Sequence, residues 1–188
     1  MNFSKRIFDI IFSLVLIVLI TIPIIILIIL IRLESKGSGI YWSKRIGRNN
    51  KIFLMPKLRS MHSNAPELAT HNFRQKDYIT KIGSFMRKTS LDELPQFFLV
   101  LVGEMSVVGP RPALHTQYDL VKLRQNANID KLTPGITGLA QISGRDSLTI
   151  SEKVDYEKEY LNNRSFFYDL SIVLKTLKYL FNSNSVSH

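Results

Sequence analysis

With 188 residues, the chain is long enough for one domain with a hydrophobic core and too short for two domains of ordinary size. It has no cysteine, and its four histidines lack the i, i+3 or i, i+4 spacing of a zinc site, which excludes disulfides and thiolate chemistry and disfavours a zinc enzyme. A formal net charge of +10, with a pI near 9.9, favours an anionic partner: nucleic acid, acidic lipid or a phosphorylated substrate.

The first predicted element is an apolar run, Ile10 to Ile31, with no charged residue. As a helix it would extend ~33 Å, which is the length of a membrane segment. The run continues into a charged stretch rather than a cleavage site for signal peptidase, so we expect it to be retained. Basic residues flank both of its ends, namely Lys5, Arg6, Arg32, Lys36, Lys44, Arg45, Arg48 and Lys51.

Two topologies are open for this run. A single spanning helix is simpler, but basic residues on both sides oppose the usual asymmetry of flanking charge. Pro23 deletes a helical hydrogen bond near the middle and predicts a kink, and Thr21 is placed to bond back to a freed carbonyl. A kinked hairpin that enters and leaves on the same face would explain both the kink and the flanks.

The next elements surround a basic segment. Ile40 to Trp42 is strand-like or an interfacial aromatic piece, and Lys44 to Met61 alternates cations with short apolar stretches. This basic segment is either a solvated loop on anionic lipid or a place where Lys57 and Arg59 bind a phosphate. Further along, Tyr78 to Arg87 is expected to be helical.

Beyond position 110, three elements are predicted. Arg111 to Gln125 is expected to be a helix, and the glycine-rich stretch from Leu132 to Asp146 to be a structured loop. Ser165 to Phe181 carries an apolar stripe at helical spacing. That stripe either packs onto a core or lies in a membrane interface with its lysines toward the head groups.

The adjacent carboxylates Asp92 and Glu93 have two interpretations. With Ser90 they match a capping box, and acidic residues suit the first turn of a helix. Pro95 opposes this, because an interior proline costs ~3 kcal/mol and a cap contributes only ~1 kcal/mol. The alternative is phosphoryl chemistry, in which one carboxylate attacks phosphorus, the other holds a hard cation, and Arg111, fixed between two prolines, binds the phosphate.

Several motifs together give the chain a resemblance to a known family. They are PKLRSM (56–61), RKTSLDELPQ (87–96), GEMSVVGPRP (103–112), LTPGITGLAQISGR (132–145) and SFFYDLSIVLKTL (165–177). The chain resembles the bacterial sugar transferases, small monotopic phosphoglycosyl transferases that use polyprenyl phosphates, over nearly its whole length.

The resemblance implies a magnesium-dependent transfer of a sugar 1-phosphate from a UDP-sugar to undecaprenyl phosphate, the first membrane step of bacterial glycoconjugate synthesis. It makes Asp92 the nucleophile of a covalent phosphosugar intermediate, with Glu93 as its metal partner, so that both carboxylates are expected metal ligands. It further implies a set of residues that bind substrate or phosphate, namely Lys57, Arg59, Arg87, Arg111, Arg145 and Glu157. Glu157 stands where family members often have aspartate.

The resemblance also implies an architecture: α/β but mostly α, with few short strands and an amphipathic interfacial C-terminal helix. Residues 1–36 would form a re-entrant helix–break–helix in the bacterial inner membrane, broken at Thr21 and Pro23. Residues 37–188 would form a catalytic domain on the cytoplasmic face. The expected partners are the bilayer, the lipid acceptor and the sugar donor, without nucleic acid, and a homodimer is compatible with this scheme. The rival hypothesis is a non-catalytic, membrane-tethered basic module that binds anionic lipid or nucleic acid.

Overall fold

The computed structural model describes residues 3–65, 78–144 and 147–181, and its first element is the apolar segment. One helix, α1 (Phe3–Glu34), runs through this segment with Pro23 inside it, and it is long and apolar enough to cross a membrane. The helix thus continues across Pro23, and the bend expected at Thr21 and Pro23 stays a prediction. Thr21 Oγ1 donates to the Ile17 carbonyl oxygen at 2.6 Å, which is the expected type of back-bonding. The carbonyl that Pro23 deprives of its donor is a different one, that of Leu19, four residues before the proline.

The N-terminal end of α1 is bound to distant parts of the chain through buried polar contacts. The Asp9 carboxylate accepts hydrogen bonds from the Ser106 hydroxyl at 2.8 Å and from the Val107 amide at 3.0 Å. Lys5 Nζ forms a salt bridge of 2.6 Å with Asp169. These contacts join the first two turns of α1 to segments about 100 and 160 residues later.

The C-terminal end of α1 is bound to the same body. Arg59 donates to the carbonyl oxygens of Ser35, at 2.7 Å, and Lys36, at 2.9 Å, where the helix ends. Glu34 accepts a hydrogen bond from the backbone amide of Lys81 at 2.7 Å. Since a helix of 32 residues is ~48 Å long, these two attachments lie far apart along α1 yet belong to one folded unit.

Within the described residues, five short strands form two sheets. β1 (Ile40–Ile46) and β2 (Ile52–Leu58) form an antiparallel hairpin, and β4 (Ala113–Leu114) pairs with the other edge of β1. β3 (Ser106–Val108) and β5 (Gly135–Thr137) form a parallel pair. The basic segment is thus mainly a hairpin and not the solvated loop that the sequence allowed.

The other helices follow in chain order: α2 (Lys81–Thr89), α3 (Phe97–Val102), α4 (Tyr118–Asn126), α5 (Leu139–Ser143), α6 (Ile150–Asn163) and α7 (Phe166–Phe181), with 3-10 helices at Arg48–Asn50, Leu91–Gln96 and Ile129–Lys131. The prediction of a mostly helical fold with few short strands is confirmed. The helix expected from Arg111 is wrong in its first half, because residues 113–114 pair with β1 instead. The loop expected from Leu132 contains β5 and α5, and Arg145 lies outside the described residues.

α1 contributes to both hydrophobic cores. Phe8 and Phe12 pack against the larger core, which is built mainly from β3, α3, α4, α6 and α7. A second core places Leu27 and Ile31 of α1 against Leu58 of β2 and other side chains. α1 is therefore an integral part of the folded domain as well as its most apolar surface.

α7 turns most of its apolar stripe away from these cores. Its buried positions are Asp169, Ile172 and Val173. Phe167 is 79% exposed and Leu174 is 60% exposed. Of these three apolar stripe positions, Val173 packs onto the core, whereas Phe167 and Leu174 are exposed. The exposed part of the stripe has the character of an interfacial surface.

Candidate active site

The acidic pair lies on the 3-10 helix Leu91–Gln96, which follows α2 directly. Ser90 has left-handed backbone angles, φ 58° and ψ 18°, and ends α2. Its side chain makes no capping hydrogen bond, so the capping-box interpretation of Ser90 and Glu93 is wrong. A real capping box occurs elsewhere in the chain, at Thr149 and Glu152.

Glu93 binds two cations that come from separate elements. Lys57 on β2 and Arg111 both approach its Oε1 at 2.8 Å, and the side chain of Glu93 is only 12% exposed. Burial alone would raise the pKa of Glu93, but the charges and hydrogen bonds of Arg111 and Lys57 hold it well below its usual range. Glu93 is therefore ionised and held in place by residues 36 and 18 positions away.

Asp92 is buried beside this ion pair. Burial raises the pKa of its carboxyl group, the charge of Lys57 opposes the rise, and the neighbouring Glu93 adds to it. The charges of Arg87 and Arg111 also favour ionised Asp92. The two carboxylates thus differ, since Glu93 is neutralised by salt bridges and Asp92 is a desolvated group close to the same cations.

Arg87 reaches this cluster from the last turn of α2. Its Nε donates to the Ser60 hydroxyl at 2.9 Å, and its charge acts on Asp92. Arg45 on β1 is a further cation of the cluster: burial, with the charge of Arg111, lowers its pKa to about 10, and Glu93 opposes this. From the sequence alone Arg45 is one of the charges that flank the apolar run, because strand pairing and not local sequence brings it here. Four cations around two carboxylates leave the cluster positive and suited to an anionic substrate.

The turn from Gly109 to Pro112 presents Arg111 to the pair. A Cβ atom at Gly109 would lie 2.4 Å from the Thr133 carbonyl oxygen, so the close approach of these two backbone segments requires glycine. The Gly109 amide donates to the Thr137 carbonyl oxygen at 2.9 Å. The turn is therefore fixed against β5.

Two of the predicted phosphate-binding residues have other contacts in the structure. Arg59 is 9% exposed, and two of its nitrogens bind the carbonyl oxygens at the end of α1. Glu157 is 3% exposed and binds Arg124 through both carboxylate oxygens. Arg145 lies outside the described residues. The structure brings Lys57, Arg87 and Arg111 to the pair, whereas the hydrogen bonds of Arg59 and Glu157 go to other partners. Arg124 was missed by sequence reasoning, because a single arginine inside a helical pattern looks like a solvent-facing residue.

The chemistry of the pair is compatible with magnesium. Carboxylate oxygens are the ligands that Mg²⁺ prefers, and proteins usually hold it through one or two carboxylates together with substrate phosphates. In the described parts of the chain, no group of three or more His, Cys, Asp or Glu side chains could hold a metal alone. A metal at Asp92 and Glu93 would need further ligands from a substrate, and magnesium stays a prediction.

Comparison with known proteins agrees with the motifs and the geometry. Residues 1–183 match the family described as bacterial sugar transferase. This chain belongs to the bacterial sugar transferase family. A galactosyl transferase, CpsE, of Streptococcus agalactiae is 41% identical over 188 residues, covering 93% of this chain and 41% of that protein.

Other family members carry more specific names. The undecaprenyl-phosphate galactose phosphotransferase of Salmonella typhimurium is 36% identical, over 94% of this chain and 40% of that protein. The exopolysaccharide production protein ExoY of Rhizobium meliloti is 35% identical, over 93% of this chain and 84% of its own length. The chain thus spans about two fifths of the longer relatives, such as CpsE, and most of ExoY.

Proposed function

We propose that this chain transfers a sugar 1-phosphate from a UDP-sugar to undecaprenyl phosphate, with Asp92 as the nucleophile. The observation that carries the proposal is a buried carboxylate, Asp92, beside a second carboxylate that Lys57 and Arg111 neutralise. The name of one relative, an undecaprenyl-phosphate galactose phosphotransferase, supports the choice of acceptor, and that of another, a UDP-glucose:undecaprenyl-phosphate glucose-1-phosphate transferase, supports both donor and acceptor.

In the first step, an oxygen of the Asp92 carboxylate attacks the phosphorus that carries the sugar. The bond from this phosphorus to the bridging oxygen breaks, and UMP leaves with the electron pair. The sugar phosphate is then joined to Asp92 as an acyl phosphate. Lys57, Arg87 and Arg111 lie where they can neutralise the oxygens of the transferring phosphoryl group, as cations do in phosphoryl transfer.

In the second step, a phosphate oxygen of undecaprenyl phosphate attacks the same phosphorus. The acyl phosphate bond breaks, Asp92 regains its carboxylate, and the product is a lipid diphosphosugar. A covalent intermediate lets one cationic site handle a soluble donor first and a lipid acceptor afterwards.

Mg²⁺ held between Asp92, Glu93 and the donor would add positive charge to the transferring phosphates. Lys57 and Arg111 both bind the Oε1 atom of Glu93, so the two cations are held close together before a substrate binds. This preorganisation avoids the cost of collecting long, flexible cations during the reaction.

We also propose that α1 enters and leaves the membrane on one face, the cytoplasmic face of the inner membrane. A spanning helix would put its two ends on opposite sides of a hydrocarbon core ~30 Å thick. Here Lys5 binds Asp169, Glu34 binds the start of α2, and both partners belong to one folded unit. The exposed apolar stripe of α7 would rest on the same membrane surface.

The deciding experiment uses purified protein with Mg²⁺, undecaprenyl phosphate and a panel of UDP-sugars, scored by UMP release. The wild type is expected to release UMP with at least one sugar and to retain radiolabelled sugar phosphate when the acceptor is omitted. Asp92→Asn is expected to lose both signals, because an amide cannot form the acyl phosphate.

Asp155→Asn is the matched control, since Asp155 is an exposed carboxylate on α6. It should leave both signals unchanged. Covalent labelling of Asp92→Asn at the wild-type level would refute Asp92 as the nucleophile. Salt-dependent binding to anionic lipid or nucleic acid that is indifferent to Asp92 and Mg²⁺, without UMP release, would favour the basic-module alternative.

A further inference from the structure

A buried ion pair lies next to the backbone of the Arg111 turn. Arg124 on α4 is 8% exposed and Glu157 on α6 is 3% exposed. Arg124 Nε donates to Glu157 Oε2 at 2.7 Å, and Arg124 Nη2 donates to Glu157 Oε1. Such a two-point contact fixes the plane of the guanidinium group.

The same guanidinium has a third contact. Arg124 Nη2 donates to the backbone carbonyl oxygen of Arg111 at 2.9 Å. This is one of three successive carbonyls that are each held by a different part of the fold. The Pro110 carbonyl accepts from the Gly135 amide at 2.9 Å, and the Pro112 carbonyl accepts from Arg45 Nη1 at 3.3 Å.

This arrangement fixes a turn that has few hydrogen-bond donors of its own, because two of its residues are prolines without an amide hydrogen. Besides the Gly109 amide, its three carbonyls are therefore the groups by which the fold holds it. The side chain of the middle residue, Arg111, binds Glu93 at 2.8 Å. The orientation of that side chain depends on where the Arg111 backbone is held.

We propose that Arg124 is a positioning residue for the transfer reaction, and that Glu157 orients Arg124 for this role. Arg124 acts through the Arg111 carbonyl and does not touch the phosphate. Glu157 acts through Arg124, which replaces the phosphate-binding role that the family resemblance implied for it. Glu157 is buried, negatively charged and bound to Arg124, so it would repel a phosphate. The same contact holds the Arg124 guanidinium in one orientation. The proposal rests on the proposed function for its kinetic readout only.

The test compares Arg124→Met, the pair variant Arg124→Met with Glu157→Leu, Arg111→Met, and the double variant Arg111→Met with Arg124→Met. Arg124→Met leaves Glu157 buried without its cation and is expected to lose stability. The pair variant removes both charges, so its thermal unfolding midpoint should return toward that of the wild type. Its kcat/KM for UMP release should nevertheless stay about 10- to 100-fold below that of the wild type, because the Arg111 carbonyl has lost its hydrogen bond from Arg124.

The double variant separates positioning from a general structural role. If Arg124 acts through Arg111, Arg124→Met should lower kcat/KM by no more than about twofold in the Arg111→Met background. An equal loss in both backgrounds would overturn the proposal, and so would wild-type activity in the stable pair variant.

Hydrogen–deuterium exchange supplies a readout without catalysis. The Gly109 amide donates to the Thr137 carbonyl oxygen, and the Gly135 amide donates to the Pro110 carbonyl oxygen, so that both bonds join the start of the turn to β5. Peptides that contain these amides should therefore exchange faster in the pair variant. Peptides from α2 should be unchanged. Unaltered exchange at the turn would overturn the proposal even if the enzyme is active, and faster exchange there would support it even if no donor sugar is found.

Discussion

Glu93 and Asp92 are neighbours in sequence with different surroundings. Lys57 and Arg111 both bind Glu93, which lowers its pKa, whereas burial raises the pKa of Asp92. A carboxylate held by two cations organises charge, and a desolvated carboxylate next to it is the better candidate for attack on phosphorus. The order Asp-Glu is therefore expected to be functional, and reversing it should not preserve the site.

The low pKa of Glu93 predicts a pH dependence of stability. Because its folded-state pKa lies below the ordinary value of 4.5, ionised Glu93 stabilises the fold above that value, and the stabilisation is lost as pH falls through the lower, folded-state pKa. Glu93→Gln should lower the free energy of unfolding at pH 7 by about 1–3 kcal/mol. Thermal unfolding in detergent with a chelator would measure it from pH 7 to pH 3.

The difference between wild type and Glu93→Gln should shrink as the pH falls below 4.5, since a protonated glutamate resembles the amide. Glu104→Gln provides a comparison at a carboxylate outside the ion-pair cluster. A difference that stays constant down to pH 3 would show that the Glu93 ion pairs do not stabilise the fold.

At the scale of elements, α1 and the β1–β2 hairpin determine how the site faces the membrane. The hairpin carries Arg45 and Lys57 into the cationic cluster, and β2 also packs against the second core through Leu58. That core includes side chains of α1. Lys57 is therefore carried by a strand that packs directly on the membrane-type helix, which suits a reaction with a lipid phosphate.

The attachment of both ends of α1 predicts a topology that can be tested by labelling. Because the chain has no cysteine, single cysteines can be placed at the exposed positions Ser4 and Ser38, on either side of the apolar run. Both should react with a membrane-impermeant maleimide in inside-out vesicles and be protected in right-side-out vesicles. A cysteine at Ile22, an apolar position that is 69% exposed, should react slowly in both because lipid covers it.

Opposite labelling of Ser4→Cys and Ser38→Cys would establish a spanning helix. It would also require the contacts of Lys5 or of Glu34 to be broken in the membrane.

At the scale of the whole molecule, the expected division into residues 1–36 and 37–188 stays a prediction, and α1 contacts the rest of the chain near both of its ends. Asp9 of α1 binds β3, Lys5 binds α7, and Ile31 fills the second core. α1 thus satisfies buried polar groups of the remaining chain and completes its apolar packing. The membrane segment is also a structural element of the candidate catalytic domain.

Deletion of residues 1–36 is therefore expected to prevent folding, even in detergent. Size-exclusion chromatography should show aggregation, and circular dichroism should show no cooperative thermal transition. Asp9→Asn in the full chain should fold and be less stable, because the amide retains part of the contact with Ser106 and Val107. A monodisperse, cooperatively unfolding 37–188 fragment would contradict the prediction.

Local composition and motif spacing were enough to predict several features. The uncharged run identified α1 as a membrane-type helix, helical periodicity identified α7, and the combination of motifs identified the family. The motifs also contain five residues of the candidate site: Asp92, Glu93, Lys57, Arg87 and Arg111. These features depend on neighbours along the chain, so one sequence suffices to find them.

Other features depend on contacts between distant residues, and only the tertiary structure decided them. Glu93 and Ser90 match a capping box by spacing, yet Ser90 adopts a left-handed conformation and Glu93 binds a strand 36 residues earlier. Arg124 and Glu157 are ordinary helical residues until α4 and α6 bring them together next to the Arg111 turn. A buried charge can be satisfied by any oppositely charged group that packing brings near, and local sequence does not specify which group that is.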